Sequence, residues 1–243
     1  MKREQDWRPT KFAHQHGRLS AGPNARDASW LISQLVAQAF ERHLPSHAHG
    51  RLLDLGCGLV PLYAAYRPLV SEITCVDWGD SPHAGLHVDI EHDLNRPLPL
   101  EDSRYDTVIL SDVLEHIRKP EELVGEVARI LAPGGKLLAS MPFMYWLHEQ
   151  PHDYFRYSEH ALRSFVDQAH LRVLVLKPLG SAPDVLADIV GKHLAFVPGL
   201  GSHLARALQR GVWSLTHLRV VAHALQPSSQ RFPLGYFLVA EKL

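Results

Sequence analysis

The sequence predicts an α/β fold, a doubly wound and mostly parallel seven-stranded sheet with helices on both faces and an added helical cap. Three observations predict it. Apolar strand segments alternate with helical segments over most of the chain, which favours a parallel sheet covered on both faces. A Gly-Cys-Gly turn directly follows the first of these strands. Apolar residues make up 46% of the 243 residues and charged residues 21%, which suits a sizeable core and argues against disorder.

The polar N-terminal segment predicts irregular structure up to about residue 27. It is either a disordered tail or a lid that docks Trp7 and Phe12 on a site. A helix then runs to about His43, because its apolar residues follow helical spacing, and Asp27 or Ser29 is placed to cap it.

Seven strands are predicted by apolar runs bounded by turn residues, at 51–55, 72–77, 86–88 (the weakest), 105–110, 136–141, 171–176 and 236–240. Between them, a short helix begins at Pro61 and stops at Pro68, and a longer one spans 120–131. Ser158 is placed to cap a third helix that runs to Ala169.

We expect three parts: an N-terminal segment or lid over residues 1–28, a core domain over 29–180 and 227–243, and a helical cap over 181–226. The cap contains a basic amphipathic stretch with Arg206, Arg210 and Arg219. Such a stretch either lies weakly on a membrane surface or packs its apolar stripe on the fold. In both cases the cap would overhang an acceptor site.

Composition excludes several classes of protein. Lys and Arg total 25 and Asp and Glu total 26, so a field that holds nucleic acid is not expected. Cys57 and Cys75 are the two cysteines, too few for a disulfide framework or a zinc site. The first residues lack the apolar core of a secretory signal, and no apolar run reaches the ~18 residues of a membrane helix. We therefore expect a cytoplasmic protein with an unknown oligomeric state.

The turn after the first strand predicts a nucleoside ligand without a diphosphate. Gly56 and Gly58 let the backbone approach a ligand closely. Pro61 stands where the dinucleotide fingerprint G-x-G-x-x-G has its third glycine, which disfavours a nicotinamide cofactor. Asp77 ends the second strand, where a carboxylate can accept hydrogen bonds from both ribose hydroxyls. Asp93 follows the third strand and can receive an adenine amino group.

Three motifs resemble those of the class I S-adenosylmethionine-dependent methyltransferases. They are Leu-Asp-Leu-Gly-Cys-Gly at 53–58, Val-Leu-Glu-His at 113–116 and Leu-Ala-Pro-Gly-Gly at 131–135. The resemblance covers roughly residues 50–178, and Pro-His-Asp-Tyr-Phe-Arg-Tyr at 151–157 points to one subgroup. Val60 departs from the family, which often has a third glycine there.

The resemblance implies a Rossmann-like methyltransferase fold and S-adenosyl-L-methionine as cofactor. Residues that would line the methionine part are Asp54, Gly56, Cys57 and Gly58. Residues that would hold the nucleoside are Asp77 at the ribose, Trp78 beside the adenine, and Asp93 and Leu94 at the base. Ser111 would offer its carbonyl to the amino group. Asp54 and Asp77 have an alternative interpretation as buried carboxylates that organise the turn.

The loop after the fifth strand carries the candidates for proton transfer. We expect His152 to act as a general base, oriented by Asp153 or Glu149, with His148 as the alternate. The alternative is that His152, Asp153 and Arg156 brace the loop. Acceptor contacts are expected from His116, Tyr145, Tyr154 and Arg156.

A metal set of His148, His152 and Asp153 is disfavoured, because Pro151 breaks the helix that would align the histidines, and no metal is expected.

The sequence thus predicts methyl transfer by in-line displacement to a small-molecule, glycan or lipid-linked acceptor. The acceptor atom stays open between oxygen, nitrogen and carbon. The alternatives are a non-catalytic partner that binds S-adenosylmethionine and, less favoured, a nicotinamide oxidoreductase.

Overall fold

The computed structural model describes residues 7–25, 27–80 and 85–243. Strands are β1 Phe12–Gln15, β2 Arg18–Ala21, β3 Arg51–Leu55, β4 Glu72–Asp77, β5 Ile90–Glu91, β6 Tyr105–Ser111, β7 Leu131–Pro142, β8 Leu171–Leu179 and β9 Gly235–Lys242. Helices are α1 Trp30–His47, α2 Tyr63–Tyr66, α3 Pro120–Ile130, α4 Glu159–Gln168, α5 Ala182–Leu194, α6 Gly201–Thr216, α7 Arg219–Ala224 and α8 Gln226–Arg231.

The main sheet has seven strands in the order β5-β4-β3-β6-β7-β9-β8. Strands β3 to β7 pair in parallel, whereas β9 is antiparallel to both β7 and β8. This confirms the predicted fold class. The order reverses between β3 and β6, and the crevice outside the carboxyl ends of these strands is where such sheets bind ligands.

Apolar side chains cover both faces of the sheet. Successive residues of β3 point to opposite sides, so Leu52 packs with α1 in one cluster, whereas Leu53 packs with α3 in the other. Both leucines are fully buried. A strand that is apolar on both faces is stable only between two helical layers. Because helices cover both faces of the sheet, a ligand reaches it at the carboxyl ends of the strands.

The N-terminal segment differs from the predicted irregular structure. Residues 12–15 and 18–21 form an antiparallel hairpin against α1. Phe12 is fully buried in the core, and the Trp7 indole donates a hydrogen bond to the Val60 carbonyl at 3.0 Å. The contacts of these aromatic side chains hold the N-terminal segment against the core, although its polar composition does not predict strands. Whether it moves as a lid stays a prediction, and residues 1–6 lie outside the described ranges.

Two strands begin at residues other than the predicted ones. The third strand was expected at 86–88 but is formed by Ile90–Glu91, because pairing with β4 begins at Val76. Strand β7 begins at Leu131 rather than at Lys136, since Leu131 already pairs with Tyr105.

Helix α1 continues to His47, and Ser29 stands at its N-cap without a capping hydrogen bond. In contrast, Ser158 accepts from the Ala161 amide and caps α4 as predicted.

The helices α5 to α8 lie between β8 and β9. Helix α6 is tied to the start of α1 by Gln209, which accepts from the Leu31 amide and donates to the Ala28 carbonyl. Gln209 is fully buried, so this link holds the cap in place beside the N-terminal helix. Within the described part of the chain, none of the helices has the length and apolar character needed to cross a membrane.

Candidate active site

A cavity of about 580 Å³ opens at the carboxyl ends of β3, β4 and β6. The N-terminal segment, the turn after β3 and the loop after β7 also contribute to its walls. Predicted site residues that line it are Gly56, Cys57, Gly58, Asp77, Trp78, Asp93, Leu94, Ser111, His116, Tyr145, His148 and His152. The structure therefore brings most of the predicted set together around one volume large enough for a nucleoside and an acceptor.

The turn after β3 depends on glycine. Gly56 has a φ of 69° and Gly58 a φ of 49°, in the left-handed region that side chains rarely adopt. A Cβ on Gly56 would lie 2.6 Å from a methyl group of Val113. Val60 also has a positive φ, 45°, at the place where the resembled family often has glycine. The backbone bends tightly here and leaves the space above the turn to the cavity.

Asp77 organises the turn from the end of β4. Its carboxylate accepts hydrogen bonds from the Gly58 amide at 2.6 Å and the Trp78 amide at 2.7 Å. Asp77 is nearly buried yet lines the cavity, so it joins the turn to the site. The next residue, Trp78, is 36% exposed and its ring meets that of His152 edge to face.

The residues predicted at the base occupy the neighbouring wall. Asp93 accepts from the backbone and side-chain amides of Asn95, both at 2.9 Å. Leu94 is buried, and Ser111 lies at the end of β6 with its hydroxyl 3.3 Å from that of Ser140. These positions fit a planar group between a polar edge and an apolar side chain.

Asp54 does not line the cavity. It is buried behind the turn, where the Tyr66 hydroxyl donates to it at 2.9 Å. Burial raises the pKa of Asp54 to about 7. The expected contact with the methionine part is therefore corrected. This carboxyl lies inside the protein, which is the position that the alternative interpretation describes.

In the loop after β7, we expected Asp153 to orient His152. In the structure it contacts His148 instead. Asp153 lies 3.2 Å from Nδ1 of His148 and accepts from the His148 amide at 2.8 Å. Arg156 donates to both oxygens of Asp153, at 2.6 and 2.8 Å. Burial alone would raise the pKa of Asp153, but these hydrogen bonds outweigh burial and bring it to about 2.

Arg156 braces the loop rather than lining the cavity. Its guanidinium also donates to the backbone carbonyls of Tyr145, Trp146 and Phe155. Asp153 and Arg156 thus make the contacts that a brace would make, and the expected acceptor contact by Arg156 stays a prediction.

His152 faces the cavity with a different partner. Its Nδ1 lies 3.0 Å from the Tyr154 hydroxyl, which also accepts from Arg118 at 3.1 Å. Tyr154 is not among the residues that line the cavity and contacts it through His152, so its predicted acceptor contact stays a prediction. Tyr145 lines the cavity, and its hydroxyl pairs with that of Ser29 at 2.8 Å.

Sequence reasoning missed an ion pair at the cavity wall. Lys11 reaches from the N-terminal segment to Asp112 at 2.5 Å, and Asp112 also accepts from the Ser140 hydroxyl at 2.8 Å. Both charged residues line the cavity. The two are 101 positions apart in the chain, and no local pattern indicates such a contact.

Glu115 was also missed, although it stands inside the quoted motif at 113–116. It is fully buried and lies 3.8 Å from the Nε2 atoms of His116 and His148. Burial and then the neighbouring Asp112 raise the pKa of Glu115 well above its usual range. The motif placed Glu115 at the end of β6 but did not show that its side chain turns into the cavity wall.

Comparison with known proteins identifies related sequences. A family model described as a methyltransferase domain matches residues 25–177. The ubiquinone biosynthesis O-methyltransferase of Acinetobacter baylyi is 24% identical over 182 residues, which are 67% of this chain and 74% of that protein. The protein of the same name from Nitrosococcus oceani is 30% identical over 109 residues, 41% of this chain and 46% of that protein. The match thus spans less than half of the second relative.

Solved structures share the fold. An S-adenosylmethionine-dependent methyltransferase from Mesorhizobium loti superimposes with a TM-score of 0.54 at 14% identity, covering 87% of this chain and 100% of that one. The [4+2]-cyclase SpnF superimposes with a TM-score of 0.53 at 19% identity, covering 95% of this chain and 85% of that one. At these identities the likeness concerns the fold alone.

Proposed function

Because the chain belongs to the family of methyltransferase domains, we propose that its cavity binds S-adenosylmethionine and methylates a hydroxyl of a small, apolar or lipid-linked acceptor. The observation that carries this proposal is the turn after β3, with Gly56 and Gly58 at positive φ and Asp77 beneath them at the cavity wall. Names of the related O-methyltransferases support oxygen as the acceptor atom.

The wall residues fit the nucleoside. Gly56 and Gly58 line the cavity without side chains, so their backbone is accessible to a ligand. Asp77 would accept the ribose hydroxyls, and Trp78, Asp93 and Leu94 would surround the base. When bound, S-adenosylmethionine supplies an activated methyl group that a nucleophile takes by in-line displacement. Alignment of the acceptor in the cavity then accounts for much of the rate.

His152 is the base that the geometry supports. With its Nδ1–H donating to the Tyr154 oxygen, its Nε2 is unprotonated and can accept a proton from an acceptor in the cavity. Arg118 donates to the same oxygen and positions the Tyr154 hydroxyl beside His152. A positioned base of this kind contributes roughly 10²–10⁴-fold.

One part of the cavity wall, next to the cap, is apolar and favours an amphiphilic acceptor. Trp146 lines the cavity, and its ring centroid lies 6.4 Å from that of Phe196 in the cap. Beyond Phe196, which is 74% exposed, the apolar cap residues Val197 and Leu200 are also exposed. These apolar side chains therefore form a path along which a lipid-linked or long apolar acceptor passes from the cap surface to the cavity.

After Asp188, the cap carries charge of one sign. Between Asp188 and Glu241 the sequence has no acidic residue, whereas Arg210, Arg219 and Arg231 are exposed there. Exposed apolar side chains beside cations suit an anionic bilayer surface. We therefore propose that the cap rests on anionic lipid and takes its acceptor from it.

Calorimetry on the purified chain tests the cofactor assignment, with S-adenosylhomocysteine and NAD as the two ligands. We expect uptake of the first and none of the second, and no uptake of S-adenosylhomocysteine would overturn the proposal.

Incubation with S-adenosylmethionine and hydroxyl acceptors that carry an apolar tail should release S-adenosylhomocysteine. His152→Ala should lower turnover about 100-fold and leave cofactor affinity unchanged, whereas His160→Ala, at an exposed position on α4, serves as the matched control. A wild-type rate for His152→Ala would remove the base from the mechanism.

A further inference from the structure

We propose that Glu115, His116 and His148 form a binding site for one divalent transition-metal ion in the wall of the cavity. All three residues line the cavity, and one ligand atom from each lies within 4.8 Å of the other two. This differs from the sequence expectation of no metal, and also from the disfavoured set of His148, His152 and Asp153. Binding of the ion is independent of the proposed function, whereas its role rests on it.

The first observation is an unsatisfied carboxylate. Glu115 is fully buried, and across residues 7–25, 27–80 and 85–243 neither of its oxygens has a hydrogen-bond partner from another residue. A buried carboxyl with no hydrogen-bond partner is costly, and its charge adds to that cost unless the carboxyl is neutral or paired with a cation. A cation between the carboxylate and the histidines would remove it.

The second observation is the orientation of both imidazoles. His116 is held through Nδ1 by the His152 carbonyl at 2.7 Å, and Nδ1 of His148 lies 3.2 Å from a carboxylate oxygen of Asp153 and 3.4 Å from a guanidinium nitrogen of Arg156. Each ring thus turns its Nε2 toward Glu115, at 3.8 Å in both cases. Metal-binding histidines characteristically donate their second nitrogen to a carbonyl or carboxylate. Both kinds of supporting partner are present here.

The ligand atoms lie farther apart than they would around a bound metal ion. With metal–ligand bonds of about 2.1 Å, ligand atoms of a tetrahedral site lie roughly 3.4 Å apart. The two separations of 3.8 Å between Glu115 and the histidines are too long for hydrogen bonds, and the three ligand atoms, which lie within 4.8 Å of one another, would move inward around an ion. Asp112 is excluded from the set, because Lys11 and Ser140 already occupy its oxygens.

The donor set selects the kind of metal. Two imidazole nitrogens and one carboxylate suit zinc, iron(II), cobalt(II) or manganese(II), whereas magnesium and calcium prefer oxygen ligands. Since the three ligands lie in the cavity wall, the remaining coordination positions face the cavity. There the ion would hold the acceptor oxygen and lower the pKa of its hydroxyl, while His152 takes the proton.

Cobalt(II) titration of the full, tag-free chain tests the site without S-adenosylmethionine. Calorimetry and the visible absorption of tetrahedral cobalt should report one tight ion per chain. Glu115→Gln and His148→Ala should each weaken cobalt binding at least about 100-fold. Asp153→Asn, which removes support from His148, should weaken it about 10–100-fold. His160→Ala, an exposed histidine on α4, should bind cobalt like the wild type and controls for surface histidines.

The possible outcomes separate the two proposals. If the wild type binds no cobalt, or if Glu115→Gln and His148→Ala bind it unchanged with native melting temperatures, the metal site is wrong. S-adenosylhomocysteine uptake in the same preparation is a separate measurement, so its failure would count against the proposed function and leave the metal result standing. Variants that unfold are replaced by His116→Gln, which keeps a polar side chain of similar length.

Discussion

At the scale of single residues, the turn that lines the cavity after β3 depends on glycine at position 56. Gly56 needs both its positive φ and the absence of a Cβ, because Val113 lies 2.6 Å from where that atom would be. The motif around Gly56 was visible in the sequence, and its backbone requirement explains why glycine stands there. The sequence could not show that Val113 is the neighbour, since the contact joins the segments that follow β3 and β6.

Gly56→Ala should therefore be more destabilising than an equivalent change elsewhere. Gly134 has a similar φ of 76° but open space around its Cβ position, so Gly134→Ala isolates the backbone cost of about 1 kcal/mol. The clash in Gly56→Ala should add about 1–3 kcal/mol to the loss of unfolding free energy, measured by urea denaturation. Equal losses in the two variants would mean that Val113 moves aside freely.

Asp77 should affect ligand binding more than folding. Asp77→Asn keeps an acceptor for the turn amides but loses the charge, so S-adenosylhomocysteine affinity should fall at least about 10-fold, or 1.4 kcal/mol. Calorimetry measures the affinity, and thermal melting checks the fold. Asp102→Asn, at an exposed position, is the matched control. Unchanged affinity in Asp77→Asn would argue against the ribose contact.

Asp54 should give the protein a distinctive dependence on pH. Burial raises the pKa of Asp54 to about 7, whereas an unfolded aspartate titrates near 3.9. Between these values the folded chain holds a proton that the unfolded chain releases, so this group adds stability at low pH that is lost as pH rises toward 7. The slope is at most about 1.4 kcal/mol per pH unit.

Urea denaturation of the wild type and Asp54→Asn at pH 5 and pH 7 measures this contribution. The wild type should lose more unfolding free energy between the two pH values than the variant does. Parallel pH dependence in the two proteins would show that Asp54 is already ionised in the fold.

At the scale of elements, the N-terminal hairpin closes one side of the cavity. It is anchored by the buried Phe12, by the Trp7 bond to Val60 and by the pair of Lys11 with Asp112. Its polar sequence predicted irregular structure, because strand pairing of four residues leaves almost no periodic pattern. The tertiary contact with α1 and the cavity wall supplies the order that local propensity lacks.

Lys11→Met should loosen the hairpin selectively. The partly buried pair is worth roughly 1 kcal/mol, so amides of residues 12–21 should exchange with solvent about 5-fold faster, while those of β6 stay protected. Hydrogen exchange by mass spectrometry measures both. Lys119→Met, which removes an exposed pair with Glu122, should leave the hairpin unchanged. Equal protection in both variants would show that Phe12 and Trp7 hold the segment alone.

At the scale of the whole molecule, charge is distributed unevenly between the cap and the rest of the chain. The net charge is −1, yet the stretch between Asp188 and Glu241 contains cations and no carboxylate side chain. Balanced composition therefore conceals a basic, apolar surface beside the cavity rim. Membership of the methyltransferase-domain family and the predicted sheet are confirmed, whereas the use of this surface is a proposal.

Vesicle flotation tests the cap as a lipid surface. Binding to vesicles with phosphatidylglycerol should exceed binding to phosphatidylcholine alone and fall with salt. Arg210→Glu with Arg219→Glu should abolish most of it, since each cation near the surface is worth about 1 kcal/mol. Arg67→Glu with Arg163→Glu makes the same change of charge at exposed positions outside the cap. Equal loss in both double variants would show that net charge and not the cap decides binding.

The sequence by itself determined the sheet, the family and the cofactor turn, because strand periodicity, glycine spacing and the motifs at 53–58, 113–116 and 131–135 are local in the chain. Only the tertiary structure decided which side chains meet. It paired Asp153 with His148, buried Asp54 behind the turn and turned Glu115 toward two histidines. These contacts join side chains from different elements or from an irregular loop, and their geometry depends on packing that no local pattern encodes.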